Sequence, residues 1–223
     1  MQLKVIAHIQ SPFTDKFGIP RQPSTDSTIE SRIVFTPEFR NPDAIRGIEQ
    51  FSHLWLIWGF SNRSDNLTVR PPRLGGNTRL GVFATRSPFR PNPIGLSSVR
   101  LVRVDSVSDS SRELVVAGAD LLDGTPIYDI KPYIPYSDAH PDATNGFAEE
   151  TKDYRLPVIF PEKTDIPDTI LGQLEEILSQ DPRPAYQDDP DRIYKLDYAG
   201  YNVEFFVQNG AVYIKNISFL EKN

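Results

Sequence analysis

Residues 3–10, LKVIAHIQ, set Leu3, Val5, Ala7 and Ile9 against Lys4, His8 and Gln10. This alternation has the period of two expected of a half-buried strand, and only Ile6 breaks it. SRIVF at 31–35 and FSHLWLIWGF at 51–60 are rich in the β-branched and aromatic residues that suit a pleated surface. LGVFAT at 80–85 predicts a short buried strand. LSSVRLVRVDSV (96–107) and RELVVAGADLL (112–122) flank the polar turn SDSS and predict a hairpin. In GTPIYDIKPYIPY (124–136), Pro126, Pro132 and Pro135 limit ladder bonding, so this extended stretch is expected at a sheet edge or wrapped over a surface. Several short strands without intervening helical periodicity predict a barrel or sandwich rather than a doubly wound sheet.

The pattern changes after about Ser137. SDAHPDATNGFAEETKDYRLP is polar, acidic and poor in apolar residues, which suits a linker with one helical turn. IPDTILGQLEEILSQDP then offers Asp168 as a helix N-cap, Ile170, Leu171, Leu174, Ile177 and Leu178 at three-and-four spacing, and a stop at Asp181-Pro182. RIYKLDYAGYNVEFFVQNGAVYIKNISFL predicts strands joined by YAGYN and by QNGA, the second carrying the Asn-Gly hairpin signal. The fold expected is therefore mainly β, with an N-terminal β unit over residues 1–140 and, over 141–223, a linker followed by a small α+β appendage. No internal repeat or low-complexity tract is present.

Length and composition narrow the chemistry. A chain of 223 residues can bury roughly 70% of its unfolded surface, enough for a substantial core. It has no cysteine, which excludes disulfides, thiolate nucleophiles and cysteine-ligated metal clusters. The N-terminus lacks signal-peptide features and no run approaches the ~20 apolar residues of a membrane span, so a cytoplasmic protein is expected. The net charge of −6 argues weakly against a nucleic-acid partner, but its distribution is uneven. Between Asn66 and Val104 there are seven arginines and no acid, whereas from Tyr136 to Asp191 acids outnumber Lys and Arg fourteen to four. Arginine rather than lysine in the first window favours recognition of carboxylates or phosphates.

Three stretches carry candidate chemistry. TRSPFRPNPIG places Arg86, Arg90 and Asn92 on a loop stiffened by Pro88, Pro91 and Pro93, preorganised to hold a ligand at small entropic cost; a proline-rich surface turn with incidental arginines is the plain structural alternative. GIPRQP holds Arg21 and Gln22 between Pro20 and Pro23, a pattern that ordinary turns also show. In DLLDGTPIYDIKPY, Asp123 and Thr125 flank Gly124 and can accept from an ammonium or hydroxyl, although Asp-Gly is also a routine turn signal. His53 lies among large apolar residues, as a structural histidine commonly does. With three histidines and no metal-ligand spacing, no metal site is expected. A nucleophile elbow, a P-loop and a G-x-G-x-x-G fingerprint are all missing, which disfavours a Rossmann nucleotide enzyme.

GIPRQP, FSHLWLIW, GVFATRSPFRPNPIGLSSVRL and DLLDGTPIYDIKPYIPYSDA together resemble the TsaA-like, or TrmO (YaeB-like), family of S-adenosylmethionine-dependent tRNA methyltransferases. The resemblance covers roughly residues 1–140, and DPRPAY at 181–186 is similar to the C-terminal extension of longer bacterial members. It implies a small non-Rossmann β-barrel, a homodimer with cofactor near the subunit interface, and methylation of N6 of threonylcarbamoyladenosine next to the anticodon. Carried onto matching positions, it implies cofactor contacts from Pro20, Arg21 and Gln22, from His53, from Arg86 and Leu96, and from Asp123, Gly124, Thr125 and Pro126. On the substrate side, Arg90, Lys131, Tyr133 and Phe89 suit the phosphates and unstacked bases of an anticodon loop. Asn92, Asp129 and Tyr136 are unranked candidates for receiving the N6 proton, and none is assigned as catalytic. Many relatives carry an aromatic–histidine pair after the Trp-rich strand; here Phe60 is followed by Ser61. A non-catalytic cofactor sensor and a structural barrel are the competing classes.

Overall fold

The computed structural model describes residues 2–24, 26–61, 63–71, 78–108, 111–183 and 189–220. The strands are β1 (Ala7–Gln10), β2 (Glu30–Phe35), β3 (His53–Gly59), β4 (Thr68–Val69), β5 (Leu80–Gly81), β6 (Ile94–Ser108), β7 (Ser111–Ala117) and β8 (Pro126–Pro132). After a one-turn helix α1 (Pro135–Asp138) come β9 (Val158–Ile159), helix α2 (Asp168–Leu178), β10 (Tyr194–Tyr198), β11 (Tyr201–Gln208) and β12 (Ala211–Phe219).

Six strands close into an antiparallel barrel in the order β1-β2-β7-β6-β3-β8, with β8 returning to β1. Alternation fills it: Leu54, Leu56 and Trp58 point inward from β3 and meet Ile9, Ile33, Val99, Leu114, Val116 and Ile127, while His53, Trp55 and Ile57 remain half-buried on the outer wall. Trp58 packs where Gly95 faces it across the β3–β6 ladder; a Cβ on Gly95 would stand 2.2 Å from the indole. The expected hairpin forms between β6 and β7, while residues 109 and 110 of its SDSS turn lie outside the described residues.

Three local expectations are corrected. GTPIYDIKPYIPY is not an edge: β8 pairs with β3 along its length and with β1 at its start. The sheet tolerates Pro126 and Pro132 because they are the first and last residues of the strand, where a missing N–H interrupts no ladder. LGVFAT contributes only the two-residue β5 before turning into 3-10 helix, where Thr85 closes on the Val82 carbonyl through both its amide and its hydroxyl. Only Val82 of this run is buried, and Phe83 is 77% exposed. Asp168 occupies the first turn of α2 rather than the N-cap, which is Pro167.

The second core surrounds Leu174, Ile177 and Leu178 of α2 and the inner faces of β10, β11 and β12, with β9 added in parallel to β12. Its turns obey their sequence signals: Ala199 and Gly200 have φ of 50° and 84°, and Asn209 and Gly210 have 51° and 73°, the two left-handed residues of a tight hairpin. The β1–β2 connection also enters this core. Phe13 and Ile29 are buried in it, and Phe17 and Ile19 pack against it. Phe17 stacks on Tyr194, Phe13 lies 5.9 Å from Tyr198, and a Cβ on Gly18 would stand 2.4 Å from Leu196 Cδ1.

Candidate cofactor site

On the outer wall, β3 and β6 set His53 opposite Arg100, Trp55 opposite Ser98 and Ile57 opposite Leu96. Tyr133, just beyond β8, packs on Trp55 with ring centroids 5.4 Å apart and on His53 at 6.2 Å. A cavity of about 760 Å³ is lined by Pro23, Asp26, His53, Trp55, Arg86, Leu96, Ser98, Arg100 and Tyr133. Two guanidinium groups, a carboxylate, an aromatic wall and an exposed leucine thus converge from two strands, two loops and the segment that follows β8.

The loops are held by specific bonds. Arg86 Nη1 donates to Gln22 Oε1 at 2.5 Å, tying the proline-rich loop to the 20–27 loop. Ser24 N–H donates to the Gly118 carbonyl at 3.2 Å, and Arg100 Nη2 donates to the Ser27 carbonyl at 3.3 Å. Gly118 has φ of 82°, and a Cβ there would stand 1.9 Å from the Ser24 oxygen, so the loop lies directly on bare backbone. Beneath the wall, Trp58 Nε1 donates to Ser97 Oγ, which donates to Asp120 Oδ1 at 2.6 Å. Burial pushes the Asp120 carboxyl above the usual aspartate range, against the pull of the Ser97 hydroxyl, its own backbone amide and the nearby charge of Arg86. Asp138 accepts from Ile134 N–H and Trp55 Nε1, which together hold its carboxyl below that range.

Of the residues expected to bind cofactor, His53, Arg86 and Leu96 line this cavity, with Gln22 joined through Arg86. Arg21 turns away and donates to the Asp181 and Arg183 carbonyls. Asp123 and Gly124 line a separate cavity of about 470 Å³ with His8, Gln10, Thr36 and Arg40. Thr125 is buried with its hydroxyl on the Leu122 carbonyl, and Pro126 pairs with His8 at the start of β8. Among the residues expected at RNA, Tyr133 is in the Arg86 cavity, Phe89 is half-exposed nearby in sequence, Arg90 holds the Thr85 carbonyl, and Lys131 pairs with Asp129 at 3.1 Å. Asn92, Asp129 and Tyr136 are not among the lining residues, and Tyr136 is 92% exposed. Trp55, Ser98 and Arg100 escaped notice in the sequence, although the alternation that sends Leu54 and Leu56 inward also turns His53 and Trp55 outward. The described residues contain no group of three or more potential metal ligands, and no helix among them is long and apolar enough to cross a membrane.

These features define a class: an antiparallel barrel whose lumen is packed with side chains and whose candidate small-molecule cavity lies on the outer wall, bordered by proline-rich loops. The tRNA-methyltransferase O N-terminal domain model matches residues 8–139 and the TrmO C-terminal domain model matches residues 160–220, and the chain belongs to this family. It is 39% identical over 223 residues to a tRNA (adenine(37)-N6)-methyltransferase of Escherichia coli, covering 94% of each chain. It is 42% identical over 201 residues to a Pseudomonas aeruginosa protein named as an S-adenosylmethionine-dependent methyltransferase, covering 85% of each. A crystal structure of TrmO from P. aeruginosa superposes with a TM-score of 0.79 at 33% identity, over 99% of this chain and 97% of that one. DPRPAY extends beyond the described residues after Arg183.

Proposed function

We propose that the protein is an S-adenosylmethionine-dependent methyltransferase acting on N6 of threonylcarbamoyladenosine next to the anticodon of tRNA, in the cytoplasm. The observation that carries this reading is the Arg86 cavity on the barrel wall of a chain in the TrmO family. Its residues suit the cofactor. A guanidinium can hold the methionine carboxylate, Asp26 can take the ammonium, and Leu96 with Trp55 offers an apolar, aromatic face for adenine. The volume falls in the ordinary range for small-molecule sites.

Bound S-adenosylmethionine supplies an electrophilic methyl group on sulfur. The chain's residues then have three tasks: to align N6 with the C–S bond, to exclude water and to accept the displaced N6 proton. Alignment falls to Arg86, fixed by Gln22, and to the rigid β3–β6 wall carrying His53 and Leu96. Phe89, Arg90, Lys131 and Tyr133 are assigned to the anticodon loop, with Tyr133 as a stacking surface. Asn92, Asp129 and Tyr136 are the candidates for accepting a hydrogen bond from N6–H and orienting it, with the proton passing on to solvent from whichever of them faces N6. Pro20, Arg21 and Gln22 form the loop beside the cofactor.

The active form on this reading is a homodimer, supported by the outward-facing Ile94 and Leu96, 42% and 56% exposed beside half-buried Ile57. The Asp123–Pro126 turn, which borders the other cavity within one subunit, then reaches the cofactor across the subunit contact. Transfer of labelled methyl from S-adenosylmethionine to total tRNA of cells lacking this protein is the direct test. Label is expected in N6-methyl-threonylcarbamoyladenosine. Cofactor binding without label in any nucleoside, on tRNA shown to carry the substrate modification, would favour a sensor.

A further inference from the structure

The 20–27 loop that carries Gln22 is anchored on the C-terminal unit. Upstream, Phe17 and Ile19 pack against that unit's core; downstream, Ile29 is buried in it and Thr28 N–H donates to Glu176 Oε2 at 3.3 Å. Between these anchors, Arg21 Nη2 donates to the carbonyls of Asp181 at 3.2 Å and Arg183 at 3.0 Å. The acceptor turn is itself stiff. Asp181 adopts φ of 52°, and its carboxylate takes two bonds from Arg183, from Nε at 2.7 Å and from Nη2 at 2.9 Å, with both side chains nearly buried. One residue on, Gln22 donates Nε2 to the Arg21 carbonyl at 2.6 Å and accepts from Arg86 through Oε1. An unbroken line of hydrogen bonds therefore runs from the 181–183 turn through Arg21 and Gln22 to the guanidinium at the cavity.

We propose that the C-terminal unit is a working part of the methyl-transfer site and that Arg21 is its positioning residue, a strut that sets Gln22, and through it Arg86, for the cofactor. The inference rests on reading the Arg86 cavity as the S-adenosylmethionine site. It gives the C-terminal unit a role and changes that of Arg21, whose guanidinium faces the 181–183 turn instead of the ligand. A guanidinium suits the task because the two N–H groups of Nη2 reach both carbonyls from one planar, preorganised group, whereas an ammonium sits on a more flexible stem.

The strut is tested on the full chain by calorimetry with S-adenosylmethionine and by hydrogen exchange of the protein without added cofactor. Arg21→Ala is expected to weaken cofactor binding about tenfold, the scale of one lost charge-assisted hydrogen bond, and to speed amide exchange at Gln22, Ser24, Asp26 and Ser27. Arg21→Lys should recover part of both. In an Arg86→Ala background, Arg21→Ala should change affinity by less than about twofold, because the strut acts through the residue already removed. Asp181→Asn loosens the turn while keeping its carbonyl acceptors, and should give a smaller loss in the same direction even if Arg21→Ala folds poorly. An equal loss with and without Arg86 overturns the proposal in favour of direct ligand contact by Arg21. So does unchanged affinity, or unchanged exchange, in Arg21→Ala. If the unsubstituted protein binds no S-adenosylmethionine, the proposed function falls, while the exchange comparison still judges the strut.

Discussion

At the residue scale, Asp120 shows how the barrel wall sets the electrostatics of the site. Its carboxyl is raised chiefly by burial and held down in part by Arg86, so two outcomes are expected in a carbon-13 carboxyl titration. The Asp120 midpoint should lie above that of an unhindered aspartate, and Arg86→Ala should move it higher still. The sign for stability follows from linkage. A carboxyl that binds its proton more tightly folded than unfolded contributes stability that is fully present below the unfolded value of about 3.9 and lost as pH rises through the folded one. Asp120→Asn should remove that component from the pH dependence of urea unfolding. Arg86, His53 and Leu96 were legible in the sequence because proline spacing and motif resemblance marked them. Arg100 and Trp55 were not, because only the β3–β6 register sets them side by side with His53 and Ser98 on one wall, and only the folded loop brings Arg86 to it.

At the element scale, the seating of one loop depends on one missing side chain. Gly118→Ala would place a Cβ 1.9 Å from the Ser24 carbonyl oxygen while holding alanine at φ of 82°, and neither strain has a flexible side chain to absorb it. A stability loss of about 2 kcal/mol or more is expected from urea denaturation. Gly81→Ala is the control: apart from its two chain neighbours nothing lies within 4 Å of its Cβ position and its φ is −60°, so a change within about 0.5 kcal/mol is expected. Local signals fix the Asn209-Gly210 hairpin and the alternation along β3. The interior place of β8 is hidden in one dimension, because prolines at both ends of a strand look like prolines that exclude it from a sheet interior. The apolar run of LGVFAT is equally misleading, since it supplies a single buried residue.

At the scale of the whole molecule, the two units share the segment between β1 and β2: the flanking strands build the barrel, while Phe13, Phe17, Ile19 and Ile29 pack in the second core. A chain of residues 1–140 keeps every barrel strand but loses the surroundings of Phe13, Phe17, Ile19 and Ile29. It is expected to expose this apolar surface, bind a hydrophobic dye and self-associate, whereas the full chain should unfold in one transition by circular dichroism and fluorescence alike. This sharing was invisible in the composition, which changes near Ser137 and says nothing of residues 11–29 crossing back. It also imposes an order on biosynthesis. A ribosome releases β8 long before β11 and β12, so the barrel can close while the segment bearing Arg21 and Gln22 still lacks its seat. At ordinary elongation rates that interval lasts on the order of ten seconds. The nascent chain therefore passes through a closed barrel whose Arg21–Gln22 segment is still unseated, and that segment finds its packing only as the strands of the second core emerge.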